Sequence, residues 1–506
     1  MKVFLMFPDR DLTLPKDPPP QAEALVQDLA LEVLFAAMAQ GDRFLLNVAQ
    51  GVVLSSQADV AVLRYRQEIL QDCLDNPTVL RELYSIPIQA LENKQKHWLG
   101  VFGRQPSGIL DSSIRLLDMY VVLLRQLRRI ADTYAERFQS AGFRRFFAMI
   151  QKELDDACFE EMTGHLKTLK FRNGVPIRVW LGRGNEGRDY MLCKPTQSNW
   201  EWVERALGKR SPVYSFTIPT RDDHGFRAMR EIRDRGVNLV ANAVAQAADH
   251  VESFLNILRL ELAFYLGCLN LSERLAALQQ PICLPELSEA GTRQRHGEGL
   301  YDACLALTTR AAVVGNALQA DGKDLVLITG ANQGGKSTFL RSVGLAQVMA
   351  QCGMFVPARR YATSVCSGIF THYRREEDTT MRSGKFDEEL SRMSQIVDWL
   401  HPNGLVLFNE SFAATNEREG SEIGRQIIQA LLDRHIEVFF VTHQYELASG
   451  FWRRGWPNVL FLRAERQEDG SRTFLLQEGE PLPTSFGEDM YARVFAADQS
   501  ALSEER

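Results

Sequence analysis

The chain has 506 residues, 45% of them hydrophobic, with 58 Lys and Arg against 64 Asp and Glu for a formal net charge of −6. That composition excludes a disordered chain, and the length, at roughly 150 residues per domain, excludes a single small module. The mild acidity argues against a protein coated in positive charge but leaves room for a local basic surface.

The N-terminus, Met1-Lys-Val-Phe-Leu-Met-Phe-Pro-Asp9, places five apolar residues between its lysine and its proline, too few for a signal-peptide core. No run reaches about 18 consecutive apolar residues, so no membrane span is expected and a cytoplasmic location is. The eight cysteines form no C-x-x-C pair and read as reduced, buried thiols. Residues 1–20, closing on the Pro-rich stretch 15–20, read as an irregular lead-in. From 21 to about 170 the period is helical, as in Ala24, Leu25, Leu29, Leu31, Leu34 and Phe35 at three- and four-residue spacings. Three β-rich pieces then follow, 175–180, 189–193 and 213–218, separated by Gly- and charge-rich turns. A dense helical pattern resumes from about 225 to 279 and ends at Gln280-Pro281. After the polar segment 286–298, strand-like apolar runs at 325–329, 404–408 and 437–442 alternate with helices, as in a sheet covered on both faces. The expected organisation is a mainly helical core or lever domain, 21–289, with a β insertion at about 175–218, followed by an α/β domain, 290–506.

Gly330-Ala-Asn-Gln-Gly-Gly-Lys-Ser337 satisfies G-x-x-x-x-G-K-[ST] between an expected strand and an expected helix. Glycines let main-chain N–H groups close around phosphates, and the helix that follows points its positive dipole end at them. Gly330, Ala331, Asn332, Gln333, Gly334, Gly335, Lys336, Ser337 and Thr338 are therefore expected to bind ATP, with Lys336 reaching the β- and γ-phosphates and Ser337 ligating Mg²⁺. A second strand ends in Asn409-Glu410, where a P-loop ATPase usually has Asp-Glu. Glu410 is placed to polarise the attacking water and Asn409 to hold a Mg²⁺-bound water, so Ser337, Asn409 and Glu410 are the expected Mg²⁺ residues. Asn brings no charge, so weaker Mg²⁺ affinity and slower turnover are expected than with Asp. A third strand delivers Thr442-His443-Gln444, and His443 is expected to touch the γ-phosphate or the attacking water.

These motifs and their surroundings resemble the ATPase of the MutS family, relatives of the ABC-type ATPases. The resemblance is carried by residues 327–338, Phe355-Val-Pro-Ala358, Ile369-Phe-Thr371, residues 383–390, Leu405-Val-Leu-Phe-Asn-Glu410, Thr442-His-Gln-Tyr-Glu-Leu447 and the late Glu478-Gly-Glu with Ser485-Phe-Gly487. It extends more weakly upstream to 58–83 and 264–271. It implies an ABC-type ATPase head, a homodimer paired through the heads, and composite sites in which Ser383, Gly384 and Lys385 contact the partner's nucleotide. The family's Ser-Thr pair is missing between Gly384-Lys385 and Phe386. In place of the family's Gly-rich loop after Glu410, Thr415, Asn416 and Glu419 keep polar groups that could bridge the dimer. Family members that sense mismatches carry a long segment with a Phe-x-Glu motif before the helical core. Here about 20 residues precede it, so mismatch reading by that wedge is not expected.

Residues 101–250 hold 24 Lys and Arg against 18 Asp and Glu. Arg125, Arg128 and Arg129 on a helix, and Arg178, Arg183 and Arg188 in the β insertion, could neutralise the phosphates of double-stranded or branched DNA, or could be a solvated face paired with acids such as Asp132 and Glu136. Trp180, Tyr190 and Trp200 could stack on bases, although aromatics in a small sheet usually make its core. Two functions remain from sequence: a DNA-acting ATPase of repair or recombination type, or a nucleotide switch with little hydrolysis that grips a protein partner.

Overall fold

A computed structural model describes residues 1–97, 105–172, 174–193, 214–375, 384–467 and 471–483. The chain forms two compact units, one made of Met1–Val3, Thr78–Phe138 and Phe143–Arg259, the other of Phe4–Pro77, Gln139–Gly142 and Leu260–Arg506.

The first unit is built from helices that include Pro106–Tyr134, Asp156–Leu169 and the first part of Asp223–Ala277. Pro106 opens its helix at a position where the missing N–H is harmless, and Leu110, Ile114, Val121, Leu124, Leu127 and Ala131 bury one face at helical spacing. Phe138 packs against Phe143 and Phe147 with ring centroids 4.6 and 5.1 Å apart. The helix Asp223–Ala277 is long and apolar enough to cross a membrane, but the apolar window is mostly buried inside the protein, as in a core helix. An antiparallel hairpin, β1 (Ile177–Leu181) and β2 (Gly187–Leu192), stands where the β insertion was expected. The third expected β piece does not form: residues 214–219 take no regular structure, and Tyr214 and Phe216 are exposed. Alternation alone gave no strand there.

In the second unit the first residues have no regular structure, yet Leu5, Met6, Phe7 and Leu12 are buried. The lead-in is therefore part of a core. The fully buried carboxylate of Glu261 accepts the amides of Leu5 (2.6 Å), Met6 (3.3 Å) and Leu12 (2.6 Å), and Tyr265 donates to the Leu5 carbonyl. Burial pushes the Glu261 carboxyl up to about 7, against the pull of those amides. Glu261→Ala strands three donors, at about 1–3 kcal/mol each, so a loss of several kcal/mol is expected in denaturant titrations. A carboxyl raised on folding binds more protons in the native state. Its contribution is full below the ordinary carboxyl range and is lost as pH rises towards about 7, and the variant should lack that slope.

The main sheet is ordered β12 (Arg472–Glu478), β11 (Val459–Arg466), β6 (Leu325–Gly330), β10 (Glu437–Val441), β9 (Leu405–Asn409) and β8 (Ile369–Tyr373). All pairings are parallel except β11 with the edge strand β12. The expected runs at 325–329, 404–408 and 437–442 become three neighbouring, almost wholly buried strands. A second sheet is ordered β3 (Glu286–Ser288), β7 (Arg360–Ser364), β4 (Arg295–Leu300) and β5 (Asn316–Gln319). Buried Arg295, on β4, pairs with Glu437 on β10 at 2.7 Å, joining the two sheets. All eight cysteines are free; Cys73, Cys268, Cys304, Cys352 and Cys366 are buried, whereas Cys158, Cys193 and Cys283 are partly exposed, contrary to the expectation for the whole set.

Candidate nucleotide-binding site

The loop after β6 turns through Gly330 (φ 107°), Gln333 (φ 58°) and Gly335 (φ 88°) before the helix Lys336–Ala350 begins. A side chain at Gly334 would bring its Cβ within 2.7 Å of the Ala464 Cβ and 2.9 Å of the Ala331 carbonyl, so the tight ring of the loop needs glycine there. Lys336 is 5% exposed and folds back to donate to the carbonyls of Gly330 (2.8 Å) and Ala331 (3.1 Å). Burial lowers its ammonium pKa, with Glu410 opposing and Arg472 adding to the fall.

Because β10 lies between β6 and β9, the residues that follow it are carried between the phosphate loop and the end of β9. Ser337 Oγ donates to Asn409 Oδ1 at 2.9 Å, so two of the three expected Mg²⁺ residues meet. Glu410 adopts φ 53°, uncommon for a residue with a side chain, and its amide donates to the Val441 carbonyl. Its carboxylate lies 3.8 Å from His443 Nδ1. The His443 ring holds the Glu410 carboxyl below its ordinary range, Lys336 and Arg374 act in the same direction, and burial opposes them.

A cavity of about 550 Å³ adjoins the loop, lined by residues 332–338 and Glu410 at one end and by Leu300, Tyr301, Leu305, Val313, Val314 and Phe474 elsewhere. The polar end offers main-chain amides, a buried ammonium and a hydroxyl. The rest offers apolar wall for a flat base. Asn316 fixes the Phe474 strand by donating to the Phe474 carbonyl (3.1 Å) and accepting from the Leu476 amide (2.8 Å). Sequence reasoning missed this wall; its one local signal is the short apolar stretch 311–314 just before Gly315-Asn316. Among the described residues no cluster of three or more His, Cys, Asp or Glu could hold a metal ion by itself. Mg²⁺ commonly keeps several waters and binds with substrate phosphates, and the Ser337–Asn409 pair suits it in that form.

Other expected residues fall elsewhere. Ser383 and Ser485-Phe-Gly487 lie outside the described residues, as does Trp200. Gly384 caps the helix Lys385–Trp399, which is no merely solvated start: Phe386 and Leu390 pack on the core and Glu389 is buried. Thr415, Asn416 and Glu419 bond to one another: Thr415 Oγ1 and Asn416 Nδ2 donate to Glu419 Oε2, and the Glu419 amide donates to Asn416 Oδ1. They cap the helix Glu417–Asp433, a role that the Thr-Asn-x-x-Glu spacing signals. In the first unit, Arg128 pairs with Asp132 at 2.8 Å and donates to the Leu154 carbonyl, and Arg125 lies over the Phe159 ring at 5.0 Å. Those two arginines have local partners, which favours the solvated-face alternative for them; Arg129 is exposed. Arg178, Arg183 and Arg188 are exposed on the hairpin, and Trp180 is 57% exposed. Trp180 is therefore not hairpin core. A two-stranded ribbon has too little buried face to hold it.

A phosphate loop feeding a helix, a Ser–Asn pair beside it and a Glu–His pair carried on neighbouring parallel strands define a P-loop ATPase of the ABC type. Residues 326–487 match the MutS domain V family model and residues 58–278 the MutS2 N-terminal domain model. The chain belongs to the MutS family. It is 26% identical to MutS protein homolog 4 of Mus musculus over 302 residues, 57% of this chain and 30% of that protein. It is 34% identical to the DNA mismatch repair protein MutS of Thermus aquaticus over 171 residues, 33% of this chain and 21% of that protein. To the corresponding MutS of Thermotoga neapolitana it is 36% identical over 163 residues, 32% of this chain and 20% of that protein. The chain thus spans between a fifth and a third of the length of these relatives.

Proposed function

We propose that this MutS family ATPase works as a homodimer paired through domain V, hydrolyses ATP with Glu410 and His443, and acts on double-stranded or branched DNA in repair- or recombination-type transactions in the cytoplasm. The observation that carries the DNA reading is the outer face of the hairpin. Arg178 and Trp180 alternate outward on β1, and across the ladder Met191 stands opposite Arg178 and Arg188 opposite Trp180. An exposed indole between two arginines suits a phosphate backbone with a stacking contact and carries no base code. Tyr190, Arg227, Arg230 and Arg235 line a further groove together with Glu231 and Asp234; Arg235 lies over the Tyr190 ring at 5.6 Å and pairs with Glu231, so among the described residues the unpaired positive charge there rests on Arg227 and Arg230.

At the ATPase site, Lys336 and the loop amides would bind the phosphates while Glu410 orients and polarises water. Ser337 and Asn409 are the residues that would hold Mg²⁺, which when bound would supply charge neutralisation at the phosphates. Steady-state hydrolysis with and without duplex and branched DNA tests the whole reading: stimulation is expected, with binding that weakens steeply with salt. The double variant Arg178→Glu/Arg188→Glu should lower affinity for every sequence alike and reduce the log–log salt slope by about two. Asn409 favours the second reading, a nucleotide switch gripping a protein; tight ATP binding with a near-zero rate that DNA leaves flat would establish it.

A further inference from the structure

The turn that carries Glu410 is strained twice. Glu410 (φ 53°) and Phe412 (φ 61°) both sit in the left-handed region without being glycine, a conformation that persists only where the surroundings over-determine it. The Glu410 side is held by its own amide on Val441. At the Phe412 side the amide donates to Glu389 Oε2 at 2.8 Å and the carbonyl accepts from Gln444 Nε2 at 3.1 Å. The Phe412 carbonyl is so close to Gly420 that a Cβ there would stand 2.2 Å from it.

Glu389 reaches the turn by a second route. His372 Nε2 lies 2.9 Å from the Glu389 main-chain carbonyl, which can only accept, so that nitrogen carries the proton. Nδ1 lies 2.7 Å from Ser411 Oγ, which also donates to the His372 main-chain carbonyl at 2.5 Å, while the ring stacks on Phe412 with centroids 5.3 Å apart. Burial pushes the His372 pKa down to about 4, in keeping with this neutral ring. Glu389 itself is 3% exposed, and its other oxygen, Oε1, has no hydrogen-bond partner among the described residues. An incompletely satisfied carboxylate is expensive to bury. Among the described residues its one side-chain hydrogen bond is the one to the Phe412 amide, two residues after Glu410.

We propose that Glu389 is a positioning residue for hydrolysis: through the Phe412 amide and the His372–Ser411 bridge it fixes the strained 410–412 turn and so the direction of the Glu410 carboxylate. Glu389 lies a little over one turn into a helix that starts at Lys385, so a displacement of that helix start would be passed to Glu410 without passing through the nucleotide. The inference rests on the reading that Glu410 activates water.

The test compares wild type with Glu389→Ala, Glu389→Gln and Glu410→Gln, measuring kcat, equilibrium affinity for a fluorescent ATP analogue, thermal melting and hydrogen exchange of the peptide containing Phe412. Glu389→Ala is expected to lower kcat roughly ten- to hundredfold, with ATP affinity changed by less than about twofold and faster exchange at the turn. Glu389→Gln, which keeps a carbonyl acceptor, should recover most of the rate and the protection. A Glu389→Ala enzyme as fast as wild type beside a dead Glu410→Gln overturns the positioning role and leaves Glu410 in place. Affinity and melting temperature falling together with kcat, with no recovery in Glu389→Gln, also overturns it. Glu410→Gln turning over like wild type removes the Glu410 reading and the positioning role with it.

Discussion

Lys336→Ala is expected to abolish ATP hydrolysis and to weaken ATP binding by roughly ten- to hundredfold or more. The lysine is buried with its ammonium on two main-chain carbonyls of its own loop, 2.8 and 3.1 Å away, and among the described residues no carboxylate lies within hydrogen-bond distance of it. Burial disfavours the charge, and Glu410 offsets this only partly. An anion delivered to the loop supplies the missing countercharge, and charge-assisted hydrogen bonds to phosphate contribute about 1.5–3 kcal/mol each. Alanine removes that attraction and also frees the Gly330 and Ala331 carbonyls, so the loop loses its internal brace. Titration with a fluorescent ATP analogue reads the first effect and steady-state phosphate release the second. An affinity unchanged from wild type would show that the nucleotide binds elsewhere.

The same lysine illustrates how far the sequence can be read. A glycine-rich loop between an apolar strand and a helix has few alternative folds, because Gly334 and Gly335 occupy positions where a side chain clashes or the backbone is left-handed. The strands β6, β9 and β10 were legible for a related reason: buried on both faces, each must be apolar throughout. Strands β3 and β4 were not legible. Their residues, Glu286–Ser288 and Arg295–Leu300, are largely polar, and on β4 the buried Arg295 is tolerated because Glu437, 142 positions away, neutralises it. The order of the main sheet is equally remote from local sequence, yet it is what sets His443 beside Glu410. The third expected β piece differed in the other direction: residues 213–218 have β-forming composition, but composition does not supply a partner strand, and among the described residues none pairs with 214–219. Glu389 was missed because a buried glutamate in an amphipathic helix looks, in sequence, like any solvent-facing one.

Glu410→Gln should leave ATP binding nearly intact while lowering turnover about a hundred- to ten-thousandfold, the usual contribution of a positioned general base. Glutamine keeps the length of the side chain and adds no branching at a residue already at φ 53°, so the turn is preserved. What it removes is an acceptor-only group. The wild-type carboxylate is held below its ordinary range by His443 at 3.8 Å, and by Lys336 and Arg374, against burial. A depressed carboxyl pKa puts the acid limb of the rate profile below the ordinary carboxyl range, so the Glu410-dependent rate should stay flat from neutrality down through pH 5. Asn409 strengthens the expectation, because with no charge at that position the carboxylates lining the cavity among the described residues are Glu410 and Asp302, and Asp302 is paired with Arg341. Single-turnover measurements separate the outcomes. A variant that binds ATP and releases phosphate slowly accumulates in the ATP-bound state, which identifies Glu410 with the chemical step. A variant that hydrolyses at the wild-type rate would make the Asn409-Glu410 pair a polar strand end and move the water to another residue, with His443 the nearest group able to hold it.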